Sequence, residues 1–206
     1  DSKQIVAVGL EALSLAKSNG NVKISHPVLE GAAIEPEGVK ALVSYLIKRL
    51  ISQRINVFNR FLATCVVPCG MISGDKKNIE SILALGARQV TFVETPIADS
   101  VKLFAEFRTR NGIVVDMGHE CTDLAVVYGD GIVAGCTLYY GGKQLTENIE
   151  RRLSSKYMSK VPTDQAEYLK TNCASLYSND TTVVAVTSQN TQNGATETLN
   201  VTSKEL

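Results

Sequence analysis

The chain has 206 residues, 44% hydrophobic and 20% charged, enough to bury a core in one large or two small domains and to exclude general disorder. With 21 Lys plus Arg against 21 Asp plus Glu, no global field exists to draw the chain onto nucleic acid or an anionic membrane. No apolar run reaches the ~20 residues that span a bilayer, and the amino terminus lacks a secretory pattern, so the expectation is a soluble, cytoplasmic protein.

In chain order, an apolar stretch at Gln4 to Val8 leads into a helix through Glu11, Ala12, Leu13 and Leu15 that should stop near Asn19-Gly20. His26-Pro27 opens a loop ending at Gly31. Pro36 starts a helix whose apolar positions Val39, Leu42, Val43, Leu46, Ile47 and Leu50 recur at three and four, the amphipathic period. Phe61 to Pro68 reads as a buried strand, Lys76 to Leu85 as a helix closed by Gly86, and Gln89 to Val93 as a strand. Strand, helix, strand implies a parallel crossover. Thr95-Pro96 then sets a favoured N-cap before a residue suited to the first helical position. Glu94 therefore stands where a strand hands over to a helix. Ligands of open α/β sheets gather at the carboxyl ends of strands, which makes this carboxylate a site candidate.

Ile113 to Tyr140 reads as a meander of three strands with a hairpin at Gly129-Asp130-Gly131. Inside it, the segment Val114-Val115-Asp116-Met117-Gly118-His119-Glu120-Cys121-Thr122-Asp123 ends an apolar strand in an Asp, crosses a short turn and re-enters a strand. Successive turn amides form an anion-binding concavity, and the carboxylate can face a metal-bound phosphate. Gly141-Gly142 leads into a helix carrying Leu145, Ile149 and Leu153. Another helix begins with Thr163 as N-cap and runs to about Ser175. The tail from Thr181 to Thr202 alternates around Asn193-Gly194 as an antiparallel ribbon. Of the five cysteines, Cys65, Cys121 and Cys136 lie in or beside apolar strands and read as small buried hydrophobes. Cys65 and Cys69 have only His26 and His119 to complete a zinc site, so no metal-thiolate centre is expected.

The order of these pieces resembles the MreB/Mbl family of bacterial actin homologues along essentially the whole chain. Ala7-Val8-Gly9-Leu10-Glu11-Ala12 is similar to that family's Val-Gly-x-Glu-Ala, and His26-Pro27-Val28-Leu29-Glu30-Gly31 to its Arg-Pro-Leu-x-Asp-Gly. Val67-Pro68-Cys69-Gly70 is similar to its Val-Pro-x-Gly, and Val93-Glu94-Thr95-Pro96 to its Ile-Glu-Glu-Pro. Gly141-Gly142-Lys143-Gln144-Leu145 stands where the family has Gly-Gly-Asp-x-Met/Leu, and Ala166-Glu167-Tyr168-Leu169-Lys170 where it has Ala-Glu-x-Ile-Lys. No single string is specific; their order and spacing are.

The resemblance implies an α/β, actin-like (ribonuclease H-like) two-lobe ATPase fold, incomplete here, with small α+β subdomains. Residues 1–29 and 30–110 would be the small and large subdomains of the first lobe, 111–151 and 152–206 the large and small subdomains of the second. ATP and Mg²⁺ are the implied cofactors. Asp116 would orient the metal through water, and Gly118, His119, Glu120, Cys121 and Thr122 would hold the phosphates. Glu94 would be catalytic by positioning the attacking water, with Gly141, Gly142, Glu167 and Lys170 near the adenosine. The implied role is a filament-forming cytoskeletal ATPase in bacterial cell-shape maintenance, with wall-synthesis membrane proteins as partners, peripheral membrane contact and no nucleic acid. Two alternatives stand beside it. A divergent actin-like scaffold or adaptor has support in Gly141 to Glu147, which is similar to a string of pilus-assembly adaptors; a sugar or acetate kinase lacks a visible acceptor site.

His119, Glu120 and Cys121 replace Gly, Gly and Thr of the family's Asp-Ile-Gly-Gly-Gly-Thr-Thr-Asp turn. Glu120 is expected to crowd the turn and repel a phosphate by roughly 4 kcal/mol at ~4 Å and an effective dielectric of ~20. The family's Asp-x-Gly-Thr-x-Asn hairpin and Gly-Gly-Gly adenosine loop lie outside the matched segments, so the chain reads as the middle of a longer protein.

Overall fold

The computed structural model describes residues 4–50, 61–84, 86–177 and 179–206, with only the backbone of Leu50. It contains two compact units. One holds the chain up to Asp116 together with Asp123–Leu138, the other Met117–Thr122 with Tyr139–Leu206.

In the first unit, Gln4–Val8 has no regular structure, and helix α1 (Leu10–Ser18) starts after Gly9 and closes at Asn19. The expected loop before Gly31 contains a hairpin instead. Strands β1 (Val28–Leu29) and β2 (Ala32–Ala33) pair antiparallel across Glu30 and Gly31, whose φ angles of 51° and 80° are both left-handed. Two-residue hairpin turns require that geometry, but such short strands offer no alternation to read. Helix α2 (Pro36–Leu50) begins at its proline as expected and packs on α3 (Ser73–Leu83). α3 starts before Lys76, and Leu85, its expected end, lies outside the described residues.

Strands β3 (Phe61–Val67) and β4 (Ala87–Glu94) pair parallel, with Leu62 opposite Gln89 and Val67 opposite Glu94. This is the expected crossover. β3 is not buried throughout, however: Val67 is 2% exposed but Leu62 is 73% exposed. Helix α4 (Thr95–Phe107) packs on both strands, and the two-residue period turns every second side chain away from it. Thr95 is not the N-cap. Glu94 takes that position, and the Thr95 hydroxyl donates to the Val67 carbonyl at 3.0 Å, an acceptor that tertiary pairing supplies. β5 (Asn111–Met117), β6 (Thr122–Tyr128) and β7 (Gly131–Leu138) form a sheet in chain order. Their small core, Val114, Ala125 and Val127, packs on Ile97, Phe104 and Ile132.

The second unit runs α5 (Gly142–Tyr157), β8 (Ser159–Lys160), α6 (Thr163–Asn172), β9 (Val183–Asn190), β10 (Thr196–Thr202) and a 3₁₀ turn at Ser203–Glu205. β9 and β10 form the expected antiparallel ribbon, with Val186 opposite Leu199 and Gly194 at φ 71° in the turn. The two-residue β8 adds a third strand that no sequence period announced. Leu153, Val161, Ala166, Leu169, Val186 and Val201 form one core, each at most 2% exposed. α6 is capped by Pro162 rather than Thr163 and stops at Asn172, short of Ser175. The buried Cys173 beyond it turns its thiol toward the Thr182 and Val201 carbonyls, which draws the chain under the ribbon. Cys69 and Cys173 are the buried cysteines. Cys136 is exposed, contrary to expectation, because β7 turns it outward.

Candidate functional site

The carboxyl end of β3 gathers the polar residues of the first unit. Two residues past Val67, the Cys69 amide donates to Asp123 Oδ1 at 2.9 Å, and Asp123 is only 2% exposed. The Thr137 hydroxyl lies 2.5 Å from both the Asp123 carboxylate and the Cys69 carbonyl. With its single hydrogen it donates to one at a time. Glu94 closes β4, with the Lys76 ammonium 4.0 Å away. Asp116 sits one residue before the end of β5. Burial, and then the charges of Asp116 and Asp123, push the Asp99 carboxyl above the usual carboxylate range. The Cys69 thiol is pushed up by burial and then by Glu94 and Asp123. Asp116 and Asp123 thus act on Asp99, and Glu94 and Asp123 on Cys69. Sequence reasoning selected Glu94 and Asp116 but missed Asp99 and Thr137. Asp99 had one usable signal, a charge within the second turn of a helix that starts at a strand's carboxyl end. Among the described residues, no group of three or more His, Cys, Asp or Glu converges to hold a metal ion directly.

In the second unit the turn after β5 is clamped to the start of α5. The Gly118 amide donates to the Cys121 carbonyl at 2.9 Å and closes the turn. The turn's own carbonyls then accept from the helix: Gly142 N–H to Gly118 O at 3.0 Å, and Lys143 N–H to His119 O at 2.7 Å. The buried Thr122 hydroxyl donates to the Tyr140 carbonyl at 2.7 Å. Gly141 is required here for room, since a Cβ would lie 2.6 Å from Gly118 O and 2.7 Å from His119 O. The Gln144 side chain accepts from the Gly141 amide at 2.8 Å, half of a capping box.

The side chains that replace the family's glycines are accommodated. His119 is exposed. Glu120 lies 4.0 Å from the Lys143 ammonium, so the charge expected to repel a phosphate is opposed by a cation from the next helix. Cys121 is partly buried.

Glu167 and Lys170 meet the start of α5 through Thr146. Lys170 Nζ donates to Gly142 O at 2.9 Å, Thr146 Oγ1 at 3.0 Å and Glu167 Oε2 at 2.6 Å. Lys170 first, and the Thr146 hydroxyl next, hold the Glu167 carboxyl below its usual range. A cavity of about 610 Å³ opens beside this cluster, with His119, Lys143 and Thr146 on its wall together with Glu147, Glu150 and Glu167. One carboxylate oxygen of Glu150 is buried without a hydrogen-bond partner. Thr146 and Glu150 are the residues that sequence reading missed; their spacing of four along α5 was the available signal.

Comparison with known proteins places this geometry in a family. The family model described as MreB/Mbl protein matches residues 1–206. The cell shape-determining protein MreB of Haemophilus influenzae is 27% identical over 210 aligned residues, covering 99% of this chain and 60% of the relative. The chain therefore spans about 60% of the length of that curated relative. Among solved structures, MreB5 of Spiroplasma citri bound to AMPPNP superposes with a TM-score of 0.87 at 17% identity, over 98% of this chain and 61% of that one. The MamK double helical filament gives a TM-score of 0.75 at 16% identity, over 91% of this chain and 57% of that one. The fold is actin-like, and the chain belongs to the MreB/Mbl family.

Proposed function

We propose that this chain is the nucleotide-binding part of an actin-like cytoskeletal protein that self-associates into filaments and serves bacterial cell shape. The observation that carries the reading is the turn at Gly118–Thr122 fastened to the first turn of α5, beside a cavity edged by Glu167. Family membership favours it over the scaffold alternative, and so does the Lys143 counter-charge on Glu120.

In the second unit, the turn from Gly118 through His119, Glu120 and Cys121 to Thr122 takes the phosphates, where close backbone approach and oriented amides suit an anion. Gly141, Gly142 and Glu167 serve the nucleoside; a carboxylate is an acceptor for a ribose hydroxyl. In the first unit, Asp116 would hold Mg²⁺ through water, since a hard ion of this kind keeps most of its hydration shell. Magnesium supplies charge compensation on the phosphates when bound. Glu94 aligns the attacking water, with the Lys76 ammonium 4.0 Å from its carboxylate. Placement and electrostatics are the protein's contribution to phosphoryl transfer. The four-subdomain division and docking to wall-synthesis membrane proteins belong to this proposal. Among the described residues no helix is long and apolar enough to cross a membrane.

Calorimetry on the full-length protein tests the reading. Magnesium-dependent ATP binding should weaken by about tenfold or more in Asp116→Ala, a loss of about 1.4 kcal/mol. Equal and negligible binding by both proteins defeats it. Nucleotide-dependent pelleting on sedimentation tests filament formation, and no pellet at high concentration counts against that part.

A further inference from the structure

Lys143 stands in an unfavourable place for a cation. It is the second residue of α5, where the helix dipole presents its positive end. Its backbone amide donates to His119 O at 2.7 Å, which fixes the base of the side chain against the phosphate turn. The ammonium lies 4.0 Å from Glu120, beyond hydrogen-bond length, so that ionic contact spends none of its three donors. Glu147, Glu150, Asp164 and Glu167 put carboxylates on the cavity wall, and among the described residues lining it Lys143 is the one lysine or arginine.

A polyphosphate meeting a wall of that charge is repelled unless a cation receives it, and a lysine ammonium is a compact point charge suited to phosphate oxygens. From this placement we propose that Lys143 is a phosphate-contacting residue of this chain, its ammonium shared between the Glu120 carboxylate and a phosphate of the bound nucleotide. The inference rests on the nucleotide reading above and goes beyond it, because the family's string has Asp where this chain has Lys143. Such an ammonium has one other use, which is to neutralise Glu120. The two uses part when Glu120 loses its charge: a neutraliser is then idle, and a phosphate contact is not.

Calorimetry on the full-length protein separates them, with inorganic tripolyphosphate and adenosine as probes. The Lys143 side chain is 42% exposed, so its replacement leaves the core untouched. Lys143→Met should weaken tripolyphosphate by about tenfold or more and leave adenosine within about twofold. Lys143→Asp should weaken tripolyphosphate further, since it reverses the sign of the charge. The deciding comparison repeats Lys143→Met in a Glu120→Gln background, where tripolyphosphate should still weaken by about fivefold or more. No effect in that background overturns the proposal and leaves Lys143 a counter-charge for Glu120. Equal loss of both probes overturns it as well. If the parent protein binds adenosine but not tripolyphosphate, the proposal falls alone; if it binds neither, the nucleotide reading falls with it.

Discussion

The two units solve the problem of burying an α/β layer differently. The second closes a core in which Leu153, Leu169, Val186 and Val201 are at most 2% exposed, and it surrounds that core with engaged polar groups. The first has a core of Val114, Ala125 and Val127 and leaves Ile113 and Val133 at 75% and 70% exposure on its strands. Apolar burial contributes roughly 25 cal/mol per Å², so the second unit holds its site residues on a stiff base. In the first, buried polar bonds such as those of Asp123 carry more of the positioning. The lesson is that a candidate site can be fixed by packing or by hydrogen bonding, and mutation separates the two.

The contrast is broken most directly at Leu153. Leu153→Ala empties the centre of the larger core and should cost about 3 kcal/mol in denaturant unfolding of the second unit. A loss below about 1 kcal/mol would mean that this core is not what stiffens it. Next comes Asp123→Ala, which strips the Cys69 amide and the Thr137 hydroxyl of a buried acceptor. It should cost about 2 kcal/mol, felt in the first unit. Urea melts followed by exchange at residues of β6 and β7 would read it, and an effect confined to the second unit would contradict the comparison.

A smaller effect is expected at the chain's last turn. Glu205 accepts from Lys156, Tyr157 and the Thr202 amide, which hold its carboxyl down to about 2. A carboxyl held below its unfolded value stabilises the fold fully above that unfolded value and loses the contribution as pH falls through the folded one. Stability should therefore fall between about pH 4.3 and pH 2, by about 1 kcal/mol after allowing for solvent screening. Glu205→Gln should flatten that limb of the pH profile, and an unchanged profile would remove Glu205 from the account. The smallest effect belongs to Val133→Ala on the exposed strand face, which should change stability by less than about 0.5 kcal/mol in the isolated chain.

Much of the candidate site was legible in the sequence because its signals are local. Asp116 at a strand end and Glu94 before Thr95-Pro96 are positions that neighbouring residues define. The Glu120–Lys143 pair, the Asp123–Thr137–Cys69 knot and the Lys170 clasp were not legible. Each joins residues more than a dozen positions apart, and a polar residue carries no mark of which distant group it will meet. Caps at Thr95 and Thr163 were misplaced for the same reason, since a hydroxyl takes whichever acceptor or exposure the tertiary fold offers.

By itself, the sequence determined the kinds and order of the major elements, the parallel crossover, the carboxy-terminal ribbon and the family, because periodicity and turn chemistry are written within a few residues. Only the tertiary structure decided which site groups are engaged by the protein and which face the cavity. Hydrogen bonds and ion pairs depend on distances of a few tenths of an ångström, and only the packed chain fixes distances on that scale.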